Sequence, residues 1–559
     1  MPRLAQSILI CIAAGVAFGA CRGAQSPSEP QGHVPRLFDG LGKIHHPIST
    51  QSKDAQRYFD QGLALCFGFN HEGAIDAFRE AVRLDPKCAI CWWGIAFAWG
   101  PNINAPMGPE AGAEAWKAAQ QAKRLARHAS PVEVEYIDAI LLRYSPDATA
   151  TAGAGGAPNR RAFDEDFANA MREIAQKHPD DADAQAIYAE SLMDLSPWDY
   201  WQDDGSPREF TREAGAAVEA ALALNPDHTG ALHYKIHLYE RFEPTRAEAA
   251  ADRLATQAPD AGHLVHMPAH IYYRVGRYKD SADINEIAAA ADVAYFSWCR
   301  APAAYAALYY PHNLHFLWAS QMIEGGSDGA LTTARRIVAQ IPLDQLPVFP
   351  FLEDFLVTPY YTQARFGKWD AILGEPKPPA DQHFVTAIWH YARGLAYTRT
   401  GKREEAQAAY AALEAIAGDE EFGAFVYDTS GGTVAQRLGV AQRHLAGEMA
   451  AARGDRKAAV AELEAAIELQ DSMPYSEPPP FYLPVRQALG AVLLKAGRPR
   501  EAEAVYLADL RVYPKNGWSL FGLSKSYAAQ GKAAQARAAR NGFQQAWARA
   551  DVTLPASRF

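Results

Sequence analysis

The chain has 559 residues, 54 Lys plus Arg against 65 Asp plus Glu, a net charge of −11 and a hydrophobic fraction of 49%. That length exceeds what one compact core usually holds, and the composition is that of an ordinary folded protein, not of a disordered or collagen-like one. The acidic balance and the lack of any basic block exclude a nucleic-acid binder, because phosphate recognition needs a concentrated excess of Lys and Arg.

The first element is a targeting segment. Arg3 supplies a positive start, and the apolar stretch over 8–18 is shorter than the roughly 20 residues that a permanent membrane span needs. The stretch ends Phe18-Gly19-Ala20-Cys21, which resembles the lipobox of bacterial lipoproteins, with Phe18 in place of the usual Leu. The resemblance implies removal of residues 1–20 and lipidation of Cys21; a plain cleaved signal, with Cys21 incidental, is the alternative. Residues 21–51 read as a tether, its 24–32 portion rich in Ser, Pro, Gln and Gly. The expected location is a periplasm-facing membrane, the outer membrane in particular, with the body held through the lipid.

The helical body starts at residue 52. Residues 55–88 form two amphipathic stretches around the polar turn Asn70-His71-Glu72-Gly73. Tyr58, Gly62, Ala74, Phe78, Ala81 and Pro86 fall where the tetratricopeptide repeat places its large, small and helix-ending residues, and the segment resembles that family. Small residues let paired helices approach, Phe78 fills the gap between repeats, and Pro86 stops the second helix. The spacing returns at Gly394, Ala406 and Tyr410, at Gly447, Ala459, Leu463 and Ala466, and at Gly490, Ala502, Tyr506 and Pro514, with a fainter unit through Trp518, Tyr527, Gly531 and Ala536. The resemblance implies an all-α, right-handed superhelical solenoid of helical hairpins. We divide it into N-terminal repeats over 52–345, a connecting helix and loop over 346–382, and C-terminal repeats over 383–559. Low-complexity breaks at 148–158, 196–207, 374–382 and 473–480 read as surface loops, and the aromatic segments around Trp198 and Phe481 as covers for a groove.

Histidine is out of proportion in the middle of the chain. Of 17 histidines, eight (His228, His233, His237, His263, His266, His270, His312, His315) lie between positions 228 and 315, roughly three times an even share. His233 and His237 are one helical turn apart, and His266 and His270 repeat that step after 33 residues, nearly one repeat. Pro268 and Pro311 fit only the first turn of a helix, so His263, His266, His312 and His315 are expected at helix N-termini, where the dipole favours neutral imidazole. By repeat register, His312 falls over His263, His315 over His266, and Glu190 level with His237. The family resemblance places the 263, 266 and 270 positions on the concave face of the solenoid.

Neutral imidazoles converging on a groove are ligands for zinc, copper or iron. In this reading His233 and His237 hold the ion, His266 or His270 adds a third ligand, and Glu190 is a fourth ligand or general base. His263, His312 and His315 then form a second ion site or orient the first set. The competing readings are a groove for a peptide of a periplasmic or outer-membrane partner, and histidines that only pack against Tyr234, Tyr272, Tyr273, Tyr309 and Tyr310. Cys88 and Cys91 form a lone CxxC, read as a disulfide in an exported protein with a metal pair as the alternative; Cys66 is a rival partner for either, and the pairing of Cys299 is left open. No GxxxxGK, GxSxG, HExxH or GxGxxG motif occurs. Metalloprotein with a small substrate and non-catalytic scaffold both follow from these residues.

Overall fold

A computed structural model describes residues 34–153, 160–298, 303–347, 349–425 and 432–559. The signal segment, Cys21 and Cys299 lie outside the described residues. Among those described there is no strand, only three isolated bridges: Asn102 with Ala105, Met107 with Gly153, and Trp201 with Pro207.

The helices are α1 Lys53–Phe67, α2 His71–Leu84, α3 Ala89–Ala98, α4 Pro109–Leu125, α5 Pro131–Leu142, α6 Arg161–Lys177, α7 Ala182–Asp194, α8 Glu209–Leu224, α9 Thr229–Tyr239, α10 Glu248–Leu254, α11 Gly262–His266, α12 Pro268–Val275 and α13 Tyr278–Trp298. They continue with α14 Ala303–Glu324, α15 Ser327–Gln340, α16 Glu353–Leu356, α17 Thr358–Arg365, α18 Trp369–Gly374, α19 His383–Arg399, α20 Arg403–Ala417, α21 Glu420–Gly423, α22 Val434–Arg453, α23 Arg456–Ser472, α24 Val485–Lys495, α25 Pro499–Val512, α26 Gly517–Ala529 and α27 Ala533–Ala546. Several starts carry their own signal. Ser52, Asn70, Asp181 and Asn516 accept a backbone N–H of the first turn from their side chains, while His228 does the same for α9 through Nδ1.

Successive helices pack as hairpins of the tetratricopeptide type, and the contact that fixes their register recurs. A methyl group added at Gly62 of α1 would lie 2.6 Å from Phe78 Cε1 on α2, and one at Gly94 of α3 would lie 2.5 Å from the same atom. Phe78 is thus clamped between the first helices of consecutive hairpins. Near the C-terminus Gly490 of α24 and Gly522 of α26 clamp Tyr506 of α25 in the same way, at 2.4 and 2.1 Å from Cζ. Each glycine is sixteen residues from its ring. Close helix approach thus needs a residue without Cβ on both sides of one large side chain.

The chain forms two compact units, one running through Ile271 and taking in Ile287–Ala306, the other made of Tyr272–Glu286 and Ala307–Phe559. Within 346–382, Tyr361 is buried at 1% exposure, and Thr362 accepts the indole N–H of Trp318 at 2.6 Å inside the second unit.

The tether also ends sooner than composition suggests. From Pro35 to Thr50 the chain is strapped to the first unit: Tyr58 donates to Pro35 O, Asp260 N–H to Gly40 O, Ser49 N–H to Glu133 and the Thr50 hydroxyl to Asp85. The strap's central joint is His46, whose Nδ1 lies 2.9 Å from Asp183 Oδ2, while His228 Nε2 holds the other oxygen at 3.0 Å. Polar side chains bind it without secondary structure, so no periodicity reveals it.

Loops expected at the surface are partly interior. Residues 148–151 form a 3₁₀ turn that buries Thr151, and 473–484 carries Phe481 and Tyr482 into the second unit, with a cis peptide between Glu477 and Pro478. No helix among the described residues is long and apolar enough to cross a membrane.

Candidate metal centre

Three helices of the first unit, α9, α11 and α12, bring five imidazoles together. His233 and His237 project from α9 one turn apart, with ring centroids 4.8 Å from each other. His263 of α11 comes within 5.0 Å of the His233 ring and 6.4 Å of the His237 ring. One ligand atom from each of His233, His237 and His263 lies within 4.8 Å of the other two. The geometry thus brings His263, rather than His266 or His270, into the group with His233 and His237. The cause is local: α11 is a single turn that ends at Met267, and α12 restarts with Pro268 in its first turn. His263 is thereby left on a different turn from His270.

His266 and His270 form a neighbouring pair in which one Nε2 donates to the other at 2.9 Å. His270 Nδ1 lies 3.0 Å from Glu240 Oε2, and His237 Nδ1 lies 3.7 Å from the same oxygen. Glu240, the residue capping α9 and 1% exposed, thus occupies the place assigned to Glu190. Its signal in the sequence was its position three residues after His237, on the same helical face. Glu190 instead belongs to a buried charged layer with Asp194, Arg143, Arg160 and Asp164. In it Arg143 donates to Asp194 and Arg160 to Asp164, both at 2.6 Å. Burial, with the nearby Asp194 carboxylate adding to it, raises the Glu190 carboxyl above the usual carboxylate range.

The histidines are interior, not groove-lining: His233, His237, His263, His266 and His270 are all between 0% and 4% exposed. Burial pushes His233, His237 and His263 well below the ordinary imidazole range, with the neighbouring imidazoles adding to the shift, so all three rings are neutral. His233 donates its Nδ1 proton to the carbonyl of Phe67 at 2.7 Å, which leaves Nε2 as the lone-pair nitrogen. That Nε2, and both ring nitrogens of His237, have no hydrogen-bond partner among the described residues.

Aromatic rings close the site. Phe69 lies 4.5 Å from the His233 ring, 6.1 Å from His237 and 5.6 Å from His263, and Trp198 meets His237 edge-on at 4.9 Å. Phe69 and Trp198 are two of only three non-glycine residues with positive φ among the described residues, at 55° and 64°. Backbone strain at both positions is thus spent on aiming rings at the histidines. The loop expected to cover a groove does cover the cluster, through Trp198.

No protein-family model matches the chain, and no curated protein matches it. Among solved structures, the human IFIT1 dimer with PPP-AAAA aligns at 12% identity and a TM-score of 0.30, over 90% of this chain and 92% of its own. Yeast Tom70 aligns at 12% identity and a TM-score of 0.28, covering 86% and 90%, and Naa15/Naa10 bound to HypK-THB at 12% and 0.22, covering 88% and 70%. At these scores the likeness says nothing about the site.

His312 and His315 belong to the second unit and, within it, neither joins a group of three ligands among the described residues. They are also not at a helix start. The helix α14 begins at Ala303 and carries Pro311 in its interior, so the proline removes one backbone donor without ending the helix. His315 is boxed by Trp318, Phe355 and Tyr482 at 5.2–5.4 Å, and burial beside Arg437 lowers it to about 3.

A second group went unread in the sequence: His46, Asp181 and Asp183 also offer ligand atoms within 4.8 Å of one another. Their lone pairs are already engaged. Asp181 caps α7 and accepts the Tyr136 hydroxyl, and Asp183 bridges His46 and His228, so this group is the joint of the strap. Cys88 and Cys91 are paired, with Cα atoms 5.4 Å apart, and Cys66 is a buried thiol.

Proposed function

We propose that the first unit is a transition-metal site whose ligands are His233, His237 and His263. The observation that carries this is the bond from His233 to Phe67 O, which fixes one tautomer and leaves a buried nitrogen with no partner beside two further neutral imidazoles. Burying several unsatisfied polar nitrogens costs stability unless something occupies them. The donor set fits. Metal–nitrogen bonds of about 2.0–2.1 Å place tetrahedral ligand nitrogens about 3.3 Å apart, and three ligand nitrogens already within 4.8 Å of one another close that gap by side-chain rotation. Neutral nitrogen donors match zinc, copper or iron better than calcium or magnesium, which take oxygen.

With three protein ligands a metal keeps an open position, where it supplies Lewis-acid or redox chemistry to a small molecule. Glu240 then orients His270 and His237 and stands ready to hold a proton. Because the rings are interior, a peptide lying in an open groove does not reach them, which favours a small substrate over a scaffold's partner at this site.

The chain is read as exported and held to a periplasm-facing membrane through Cys21. The paired Cys88 and Cys91 support export, since cytosolic thiols stay reduced. The deciding experiment is elemental analysis of protein purified without a histidine tag: near-stoichiometric zinc, copper or iron is expected. Metal-free protein that takes up none of these ions in dialysis rejects the reading. Replacing Cys21 by Ser is expected to release the protein from membranes.

A further inference from the structure

The second unit contains one cation whose surroundings ask for an anion. Arg365, at the end of α17, is 6% exposed. Its Nη1 donates to Gln487 Oε1 at 2.7 Å, its guanidinium lies 3.6 Å over the Trp518 ring, and its Nε has no hydrogen-bond partner. No carboxylate pairs with it among the described residues. Asp509 reaches it only through Gln487, because the Asp509 oxygen accepts from Gln487 Nε2, Asn516 Nδ2 and the Ser519 hydroxyl. Elsewhere in this unit the buried Arg437 meets Asp354 directly, and the half-buried Arg399 meets Glu448. Burial pulls Arg365 below the usual arginine range, the mark of a guanidinium without enough compensation.

Arg365 also lines a small cavity that is partly open to solvent. The other walls are mostly aromatic: Tyr273, Trp318, Phe481, Tyr482 and Tyr513. Apolar rings around one convergent charged group are the usual make-up of a small-molecule site. We propose that this cavity binds a small monocarboxylate, its carboxylate against the Arg365 fork and its hydrocarbon part against the rings. One guanidinium lacking a direct acid matches a single negative charge, and a flat fork matches a carboxylate. Phosphate brings nearly two charges and a hydrated tetrahedron, which aromatic walls cannot serve.

The test uses the full chain and propionate, with propionamide as a neutral analogue of the same shape. Calorimetry is expected to show saturable propionate binding, no measurable propionamide binding, and an affinity at least about ten-fold weaker in Arg365→Gln. Removing a buried cation can unfold the unit, so the propionate and propionamide comparison on unaltered protein reads the charge requirement without a variant. Absence of saturable propionate binding overturns the proposal. So does equal binding of propionamide, preference for inorganic phosphate, or undiminished affinity in a folded Arg365→Gln protein.

Discussion

His233 donates its Nδ1 proton to the carbonyl oxygen of Phe67 at 2.7 Å. That carbonyl stands at the end of α1, two residues before Phe69 turns through positive φ to lay its ring on the same histidine. The end of the first helix therefore sets both the tautomer and the cover of a ring 166 residues away in sequence. The bond satisfies a buried N–H and also fixes where the other ring nitrogen points, the orientation that a ligand ring requires.

If those three rings hold an ion, their losses must be severe and specific. His237→Ala and His263→Ala are each expected to lose bound metal while helix content by circular dichroism stays unchanged. His444→Ala, in the other unit, retains it. Metal added at about 100 times its Kd stabilises by about 2.7 kcal/mol. The corresponding rise in Tm should appear in unaltered protein and vanish in the two ligand variants; metal retained by His263→Ala returns the third position to His266 or His270.

The two buried acids are separated by a similar comparison. Glu240 touches the imidazoles and Glu190 does not. Glu240→Gln keeps the volume but removes the acceptor charge, and is expected to weaken metal affinity by about 10–100-fold. Glu190→Gln changes a group that belongs to none of the ligand clusters and should leave affinity unchanged. Competition against a chelator of known affinity measures both, and equal losses would place the carboxylate's influence in the fold as a whole.

Much of this was legible from residues alone, and the exceptions have physical causes. Gly62, Phe78 and Pro86 announce the hairpin because close helix approach tolerates few alternatives, and the same holds for Gly490 and Tyr506. The histidine pair on α9 follows from helical period. The choice of His263 over His270 does not, because it depends on where the chain breaks between Met267 and Pro268, and proline permits a break without dictating its angle. Phe69 and Trp198 carry positive φ in residues that sequence rules assign to ordinary backbone, so tertiary packing alone explains them. The strap over 34–51 lacks any periodicity, and its partners Glu133, Asp183 and Asp260 are far away in the chain.

Acid is expected to destabilise the second unit through its buried neutral histidines. His444 accepts or donates at Nδ1 with the Tyr391 hydroxyl at 2.6 Å, and burial near Arg399 lowers it to about 3. Below its unfolded value near 6.5 the unfolded chain binds a proton that the folded chain refuses, so stability is lost as pH falls. By pH 5 that one group costs about 2 kcal/mol, and His315, also lowered to about 3, acts in the same direction. Urea unfolding at pH 7 and pH 5 should show a smaller difference in His444→Gln than in unaltered protein; an equal difference removes His444 from the account.

The glycine clamp gives the sharpest test of the repeat packing. A methyl on Gly522 would lie 2.1 Å from Tyr506 Cζ, and one on Gly490 2.4 Å from the same atom. The ring has little room to move aside, because its hydroxyl is hydrogen-bonded to Ser557 Oγ at 2.7 Å, and Ser557 donates to Gln487 O at 2.7 Å. Gly522→Ala should therefore destabilise by about 1–3 kcal/mol as an overpacked core does. In a Tyr506→Leu background the smaller side chain leaves space, so the two changes should sum to less than their separate costs. Gly531 is the control: it has φ 75° and nothing within 4 Å of an added methyl. Its replacement by Ala should cost about 1 kcal/mol from backbone strain alone and stay additive with Tyr506→Leu. Additivity at Gly522 as well would mean that the ring, and with it the hairpin register, is not held as the geometry places it.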